Sequence, residues 1–148
     1  SVNAAKKRVR IAFDNVKIAG GGNALQMQAD TGGNTFDVPI TRSNILVQSS
    51  TMTSATETSV TTGASVVASV FGDDSVANRF ASGWIEFGQV SGAHMSFMGQ
   101  CVYKNNAPVV QMGIFAGLIE TTSPVTALRF KPNAGNITDG RFVVTNLD

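Results

Sequence analysis

The sequence predicts an all-β fold, a jelly-roll-like antiparallel β-sandwich of about eight or nine strands. Three observations lead there. Apolar residues recur with a period of two. Turn-forming residues interrupt them at roughly ten-residue intervals, and no stretch sustains a 3.6-residue period. The strand count suits a jelly roll better than a seven-stranded immunoglobulin sandwich.

Each element follows from this alternation. In Arg8-Val9-Arg10-Ile11-Ala12-Phe13 the residues Val9, Ile11 and Phe13 share one face and both arginines take the other. Leu25 and Met27 alternate with glutamines, and Ile85 and Phe87 form the apolar side of Trp84-Ile-Glu-Phe. Leu128-Arg-Phe-Lys and Arg141-Phe-Val-Val repeat the pattern near the end, with Leu128, Phe130, Phe142 and Val144 expected in the core. Val66–Phe71 and Val109–Phe115 are more uniformly apolar, as expected for strands near a sandwich centre. Gly20-Gly-Gly-Asn, Thr31-Gly-Gly-Asn, Gly72-Asp-Asp, Asn105-Asn-Ala-Pro and Asp139-Gly supply the turns between them. Val76, Arg79 and Phe80 have helical spacing and suggest one short helical turn from Asp74.

At 148 residues the chain suits one domain spanning 1–148, with an N-terminal arm at 1–8. The stretch 48–65 is mostly Ser and Thr. Two readings are open for it: an exposed loop leading into a Thr-rich edge strand, or an arm that orders against a neighbouring subunit. Ser1 is what removal of an initiator Met leaves, so a whole gene product is expected. The basic start lacks the following apolar run of about 7–15 residues that an export signal needs, and no segment approaches the ~20 apolar residues of a spanning helix. Synthesis in a host cytoplasm and no membrane partner are therefore expected.

Charged residues make up only 14% of the chain and the formal net charge is +1, which gives no bulk electrostatic case for nucleic acid. A single Cys and a single His exclude a disulfide framework and multi-Cys zinc sites, so neither metal nor cofactor is expected. Cysteine catalysis would need His94 and Cys101. An odd number of positions separates them, so one unbroken strand points them to opposite faces. Gly63-Ala-Ser-Val-Val lacks the second glycine of a nucleophile elbow, and Gly20-Gly-Gly is followed by no phosphate-loop lysine. Asp73-Asp74 fits a tight turn better than a calcium site. A non-enzymatic protein is expected. What remains is the cluster Lys6, Lys7, Arg8 and Arg10, which is either a solvated strand end or an electrostatic foot for an acidic partner.

Two segments carry a resemblance. Arg10-Ile-Ala-Phe-Asp-Asn-Val-Lys-Ile followed by Gly22-Asn-Ala-Leu-Gln-Met-Gln-Ala-Asp-Thr-Gly-Gly-Asn-Thr-Phe resembles the opening of jelly-roll-type structural proteins of tailed-bacteriophage virions. Ser123-Pro-Val-Thr-Ala-Leu-Arg-Phe-Lys-Pro-Asn-Ala-Gly-Asn-Ile-Thr-Asp-Gly-Arg-Phe-Val-Val is similar to their closing β-hairpin. Ser82-Gly-Trp-Ile-Glu-Phe and His94-Met-Ser-Phe-Met-Gly match the middle strands in kind and order. The final Tyr-Gly of that group is missing here, and Ala134-Gly-Asn stands where Ser-Gly-Asn is commoner. The resemblance implies a β-sandwich on the virion surface and brings no catalytic residues. Such proteins serve as capsid decoration, head-fibre or tail-fibre components. The short, self-contained chain points to a decoration or cement protein, a trimer bound to the major capsid protein or another virion protein. A receptor-binding tail component and a carbohydrate-binding module are the alternatives.

Overall fold

A computed structural model describes residues 8–19, 23–48, 51–61, 64–71, 80–88, 94–104 and 109–147, with the backbone alone for 23 and 64–71. Ten strands follow in order: β1 (Arg8–Ile18), β2 (Asn23–Asp30), β3 (Ile40–Gln48), β4 (Thr51–Val60), β5 (Ala64–Phe71), β6 (Ala81–Gly88), β7 (Met95–Lys104), β8 (Val110–Ile119), β9 (Ala127–Pro132) and β10 (Ile137–Asn146). They form an all-β, antiparallel sandwich. One sheet has seven strands in the order β10-β1-β6-β7-β8-β3-β4, and the other has three, β5-β2-β9. The helical turn expected from Asp74, Gly20-Gly-Gly and Asp73-Asp74 lie outside the described residues. Among the described residues no helix is long and apolar enough to cross a membrane.

Alternation places the core. Val9, Ile11 and Phe13 of β1, Leu25 and Met27 of β2, and Ile85 and Phe87 of β6 are all at most 4% exposed. Strand β1 then changes phase. Asn15 takes a positive φ of 52°, the register to β6 shifts between Phe13 and Val16, and Val16 and Ile18 return to the core. A β-bulge of this kind absorbs an odd spacing without turning apolar side chains to solvent.

Phenylalanines and glycines interlock across the inner face of the large sheet. Phe13 faces Gly83, Phe97 faces Gly117 and Phe115 faces Gly99 in direct cross-strand register. A Cβ on Gly83, Gly117 or Gly99 would lie 2.7, 2.6 or 2.5 Å from the facing ring. Each glycine is thus a notch that lets an aromatic ring lie flat on the neighbouring strand.

The C-terminal segments differ from the expected hairpin. Strand β9 pairs with β2 in the small sheet and β10 pairs with β1 in the large one. Their contact is between layers, where the Phe130 and Phe142 rings stack 5.5 Å apart and Phe142 also meets Phe13 at 6.3 Å. Leu128, Phe130 and Phe142 are partly buried against the core, but Val144 is 51% exposed. Val144 pairs with buried Ile11, so it points inward, but β10 is an edge strand and three strands do not cover the full width of seven.

At the opposite edge, Thr51–Val60 forms the Ser/Thr-rich strand β4, paired with β3 of the same chain. The turn after β2 is tied by Asp30, whose carboxylate accepts the Asn34 and Thr35 amides at 3.0 and 3.4 Å. Burial pushes the Asp30 pKa up. The backbone N–H groups of Asn34, Gly32, Thr35 and Gly33 outweigh it and hold the carboxyl below its ordinary value.

Candidate functional site

The outer face of the seven-stranded sheet is where the chain departs from a simple inside-out partition. Strand β7 sends Met95, Phe97, Cys101 and Tyr103 inward and Met98 and Val102 outward. Strand β8 sends Phe115 and Ile119 inward and Val110, Met112, Ile114 and Leu118 outward. Register aligns these outward residues in rows. Ile114 lies between Gln100 and Ile45, Met112 between Val102 and Val47, and Ala116 between Met98 and Ser43. The next strand adds Met52 beside Val47. Val47 is half-buried, and the exposed large apolar residues range from 39% at Met112 to 70% at Met52. Together they present on the order of 700 Å² of apolar surface, against roughly 300–600 Å² for the largest patch on a typical monomer.

Uniformly apolar β8 was expected at a sandwich centre, with both faces covered. Its inner face is covered; its outer face is not. Sequence reasoning missed this surface because the apolar residues of both phases were assigned to one core. The available signal was Met98 and Val102 set between Phe97, Cys101 and Tyr103, two apolar residues in the phase that also carries Ser96, Gln100 and Lys104.

A charged rim borders the patch along β1 and β6. Arg8 and Arg10 converge on the Glu86 carboxylate, Arg10 at 2.8 Å. Hydrogen bonds from Arg10 and then Arg8 hold Glu86 below the ordinary carboxylate range. The Arg10 guanidinium also lies 4.8 Å from the centroid of the Trp84 ring, a cation–π contact that fixes both side chains on the outer face. Between rim and patch runs a shallow groove of about 400 Å³ lined by Arg8, Glu86, Gly88, Ser96, Met98 and Ala116. The structure thus brings Arg8 and Arg10 together around one carboxylate. Lys6 and Lys7 lie outside the described residues.

The remaining chemistry-bearing residues are inside or apart. Cys101 is 1% exposed, and burial pushes its thiol up to about 12, so the thiolate is scarce at neutral pH. His94 is exposed just ahead of β7, outside the core that encloses Cys101. On β3, Arg42 and Asn44 point inward and are 3% and 4% exposed. Arg42 Nε donates to Glu57 at 2.8 Å, while Arg42 Nη1 and both amide atoms of Asn44 have no partner among the described residues. Gln111, 7% exposed, donates to Gln48. This polar seam lies on the side crossed by β5. Among the described residues no three His, Cys, Asp or Glu side chains converge as a metal site would require. Comparison with protein-family models, with curated proteins and with solved structures gives no match.

Proposed function

We propose that this chain is a non-enzymatic surface protein of a bacteriophage virion, a capsid decoration protein that acts as a trimer on the head shell. The observation that carries this reading is the apolar patch on the outer face of the large sheet, bordered by the Arg8–Arg10–Glu86 rim. A surface of that size in a chain with 14% charged residues favours a covered, assembled state over a free monomer. Two further observations support it. Cys101 is buried with a raised pKa, apart from the exposed His94, and the segments described above resemble phage virion proteins. In this role the sandwich supplies shape and contact, and the basic rim with Lys6 and Lys7 steers the protein toward acidic capsid surface. Such steering weakens with added salt. Several weak contacts made by one trimer also hold longer than one contact alone.

Co-sedimentation with phage heads stripped of surface proteins tests the reading. The purified protein should rebind heads to saturation and remain on tailless particles. Replacing Lys6, Lys7 and Arg8 by Ala should slow rebinding more at low salt than at high salt. A folded protein that ignores heads but blocks adsorption of phage to host cells would overturn this proposal in favour of a receptor-binding tail component.

A further inference from the structure

The small sheet of the sandwich leaves part of the large one uncovered, and we infer that the free edge of β5 docks an extended, uncharged peptide segment of another virion protein, which adds to it as a fourth strand. The choice of a virion protein as donor rests on the functional reading; the strand site does not.

The missing cover is visible on β3 and β4. Arg42, Asn44, Leu46 and Gln48 alternate along the inner face of β3, and Glu57, Ala55, Thr53 and Thr51 lie beside them in register on β4. Cover thins along this floor. Arg42 and Asn44 are buried, Leu46 and Gln48 are half-buried, and Ala55, Thr53 and Thr51 are exposed although they share the inner face. Strand β5 lies over β3, β7 and β8, and the small sheet ends with it. Packed sheets keep their strands within about 30° of each other, so a strand added beside β5 lies along this floor.

The edge itself is open. Sheet edges are ordinarily guarded by charge, Pro or bulges. Strand β9 carries Arg129, Lys131 and Pro132, and β10 carries Asp139, Arg141 and the positive-φ Gly140. Strand β5 reads Ala-Ser-Val-Val-Ala-Ser-Val-Phe, without charge or Pro, and among the described strands it pairs with β2 alone.

The floor also selects its occupant. At its closed margin Arg42 Nη1 and both amide atoms of Asn44 have no partner among the described residues, and neither has Gln111 Oε1, beside Gln48. Asn44 thus offers a donor and an acceptor side by side, the complement of a peptide group. Four positions separate Asn44 from Gln48, on the order of 13 Å, which a short extended segment spans. Glu57 already neutralises Arg42, so the spare N–H suits a carbonyl better than a second carboxylate. An uncharged main chain meets these demands. Residues 1–7 of a second copy, with Lys6 and Lys7, do not.

Fluorescence anisotropy and hydrogen exchange of the full chain test this, with a labelled, blocked peptide of about seven alternating Thr and Val residues as the probe. Wild type should bind it saturably, and the β5 amides should exchange more slowly when it is bound. Thr53→Lys, on the exposed inner floor, should abolish binding with far-ultraviolet dichroism unchanged. Ser54→Lys, at the next position and on the outer face, should not. Asn44→Leu should weaken binding about tenfold without lowering Tm, because it removes unpartnered atoms rather than a bond. No binding at about 1 mM peptide, equal effects of the two lysine variants, or slowed exchange confined to β4 would overturn the inference. Self-association that Thr53→Lys abolishes would overturn it in favour of a second copy. Heads rebound equally well by Thr53→Lys leave the capsid reading standing and overturn the virion donor. Peptide binding by a chain that ignores stripped heads leaves the strand site standing and overturns the capsid reading.

Discussion

Gly99→Ala adds one methyl group to the inner face of β7, where no space exists for it. The new Cβ would lie 2.5 Å from the Phe115 ring, and the Trp84 carbonyl oxygen is nearer still. Ordinary carbon contacts are about 3.5–4.0 Å, so roughly 1 Å must be found. Phe115 is only 3% exposed and cannot swing away, and the Trp84 carbonyl belongs to the β6 backbone. Overpacking costs about 1–3 kcal/mol, and the upper end applies where both obstacles are fixed. Glycine itself is poorer than alanine in a strand by about 0.5–1 kcal/mol, which offsets part of the loss. The net expectation is a destabilisation of about 2 kcal/mol. At roughly 2–4 °C per kcal/mol for a chain of this size, Tm should fall by about 4–8 °C.

Urea titration and thermal dichroism measure this directly. The control is Gly88→Ala, on the outer face of β6, where the new Cβ meets nothing closer than Ser96 Oγ at 3.7 Å. That variant should stay within about 0.5 kcal/mol of wild type. Adding Phe115→Ala to Gly99→Ala should relieve the ring clash but not the carbonyl clash, giving a coupling energy within the range of about 0.5–3 kcal/mol. Equal stability of the Gly99→Ala and Gly88→Ala proteins would refute the notch and the register that creates it.

Four more outcomes follow from the same packing. Asp30 has a lowered folded pKa, so its contribution is present above its ordinary 3.8 and lost as pH falls through the folded value; Asp30→Asn should narrow the stability gap between neutral and acid, and unfolding measured down to about pH 3 reads this. Glu57→Ala leaves the Arg42 guanidinium buried without its carboxylate and should cost up to about 3 kcal/mol, more than Arg42→Met, which removes the buried charge itself; the reverse order in urea would refute the argument. His94→Ala and Cys101→Ser should each cost about 1 kcal/mol and leave head binding intact, whereas lost function at an unchanged Tm would count against a non-enzymatic role. Deleting 140–148 removes most of β10 and the Phe142 stack and uncovers the edge of β1, so the product should be insoluble; a soluble truncation with native near-ultraviolet dichroism would show that β10 is dispensable.

The inner face of the sandwich was legible because alternation is a local signal. Val9, Ile11 and Phe13 set one side of β1 from their spacing alone, and the jump in phase to Val16 and Ile18 even announces the bulge at Asn15. The Phe–Gly notches were half legible. Phe97-Met-Gly99 and Phe115-Ala-Gly117 are two copies of one pattern, but only the antiparallel register sets each ring on the other strand's glycine. Strand partners were not legible. Leu128–Lys131 and Arg141–Val144 look like a hairpin in sequence, and what separates them is the competition of β2 and β1 for the same edges, a matter of tertiary packing. The candidate surface stayed hidden for a related reason. Hydrophobicity marks a residue for burial but does not say whether its own chain does the burying.

Strand β3 states that last point in a single run of residues. Arg42 and Asn44 face inward at 3% and 4% exposure, and Ile45 between them and Leu46 faces water at 42%. An isolated domain gains nothing from that inversion, since the polar side chains lose hydration and the isoleucine loses burial. The inversion becomes favourable once the outer face is covered. At about 25 cal/mol per Å², covering on the order of 700 Å² returns roughly 17 kcal/mol per chain before the cost of association is subtracted. That is comparable with the whole folding stability of an ordinary domain, about 5–15 kcal/mol. The proposed assembly therefore belongs to the same energetic account as the core.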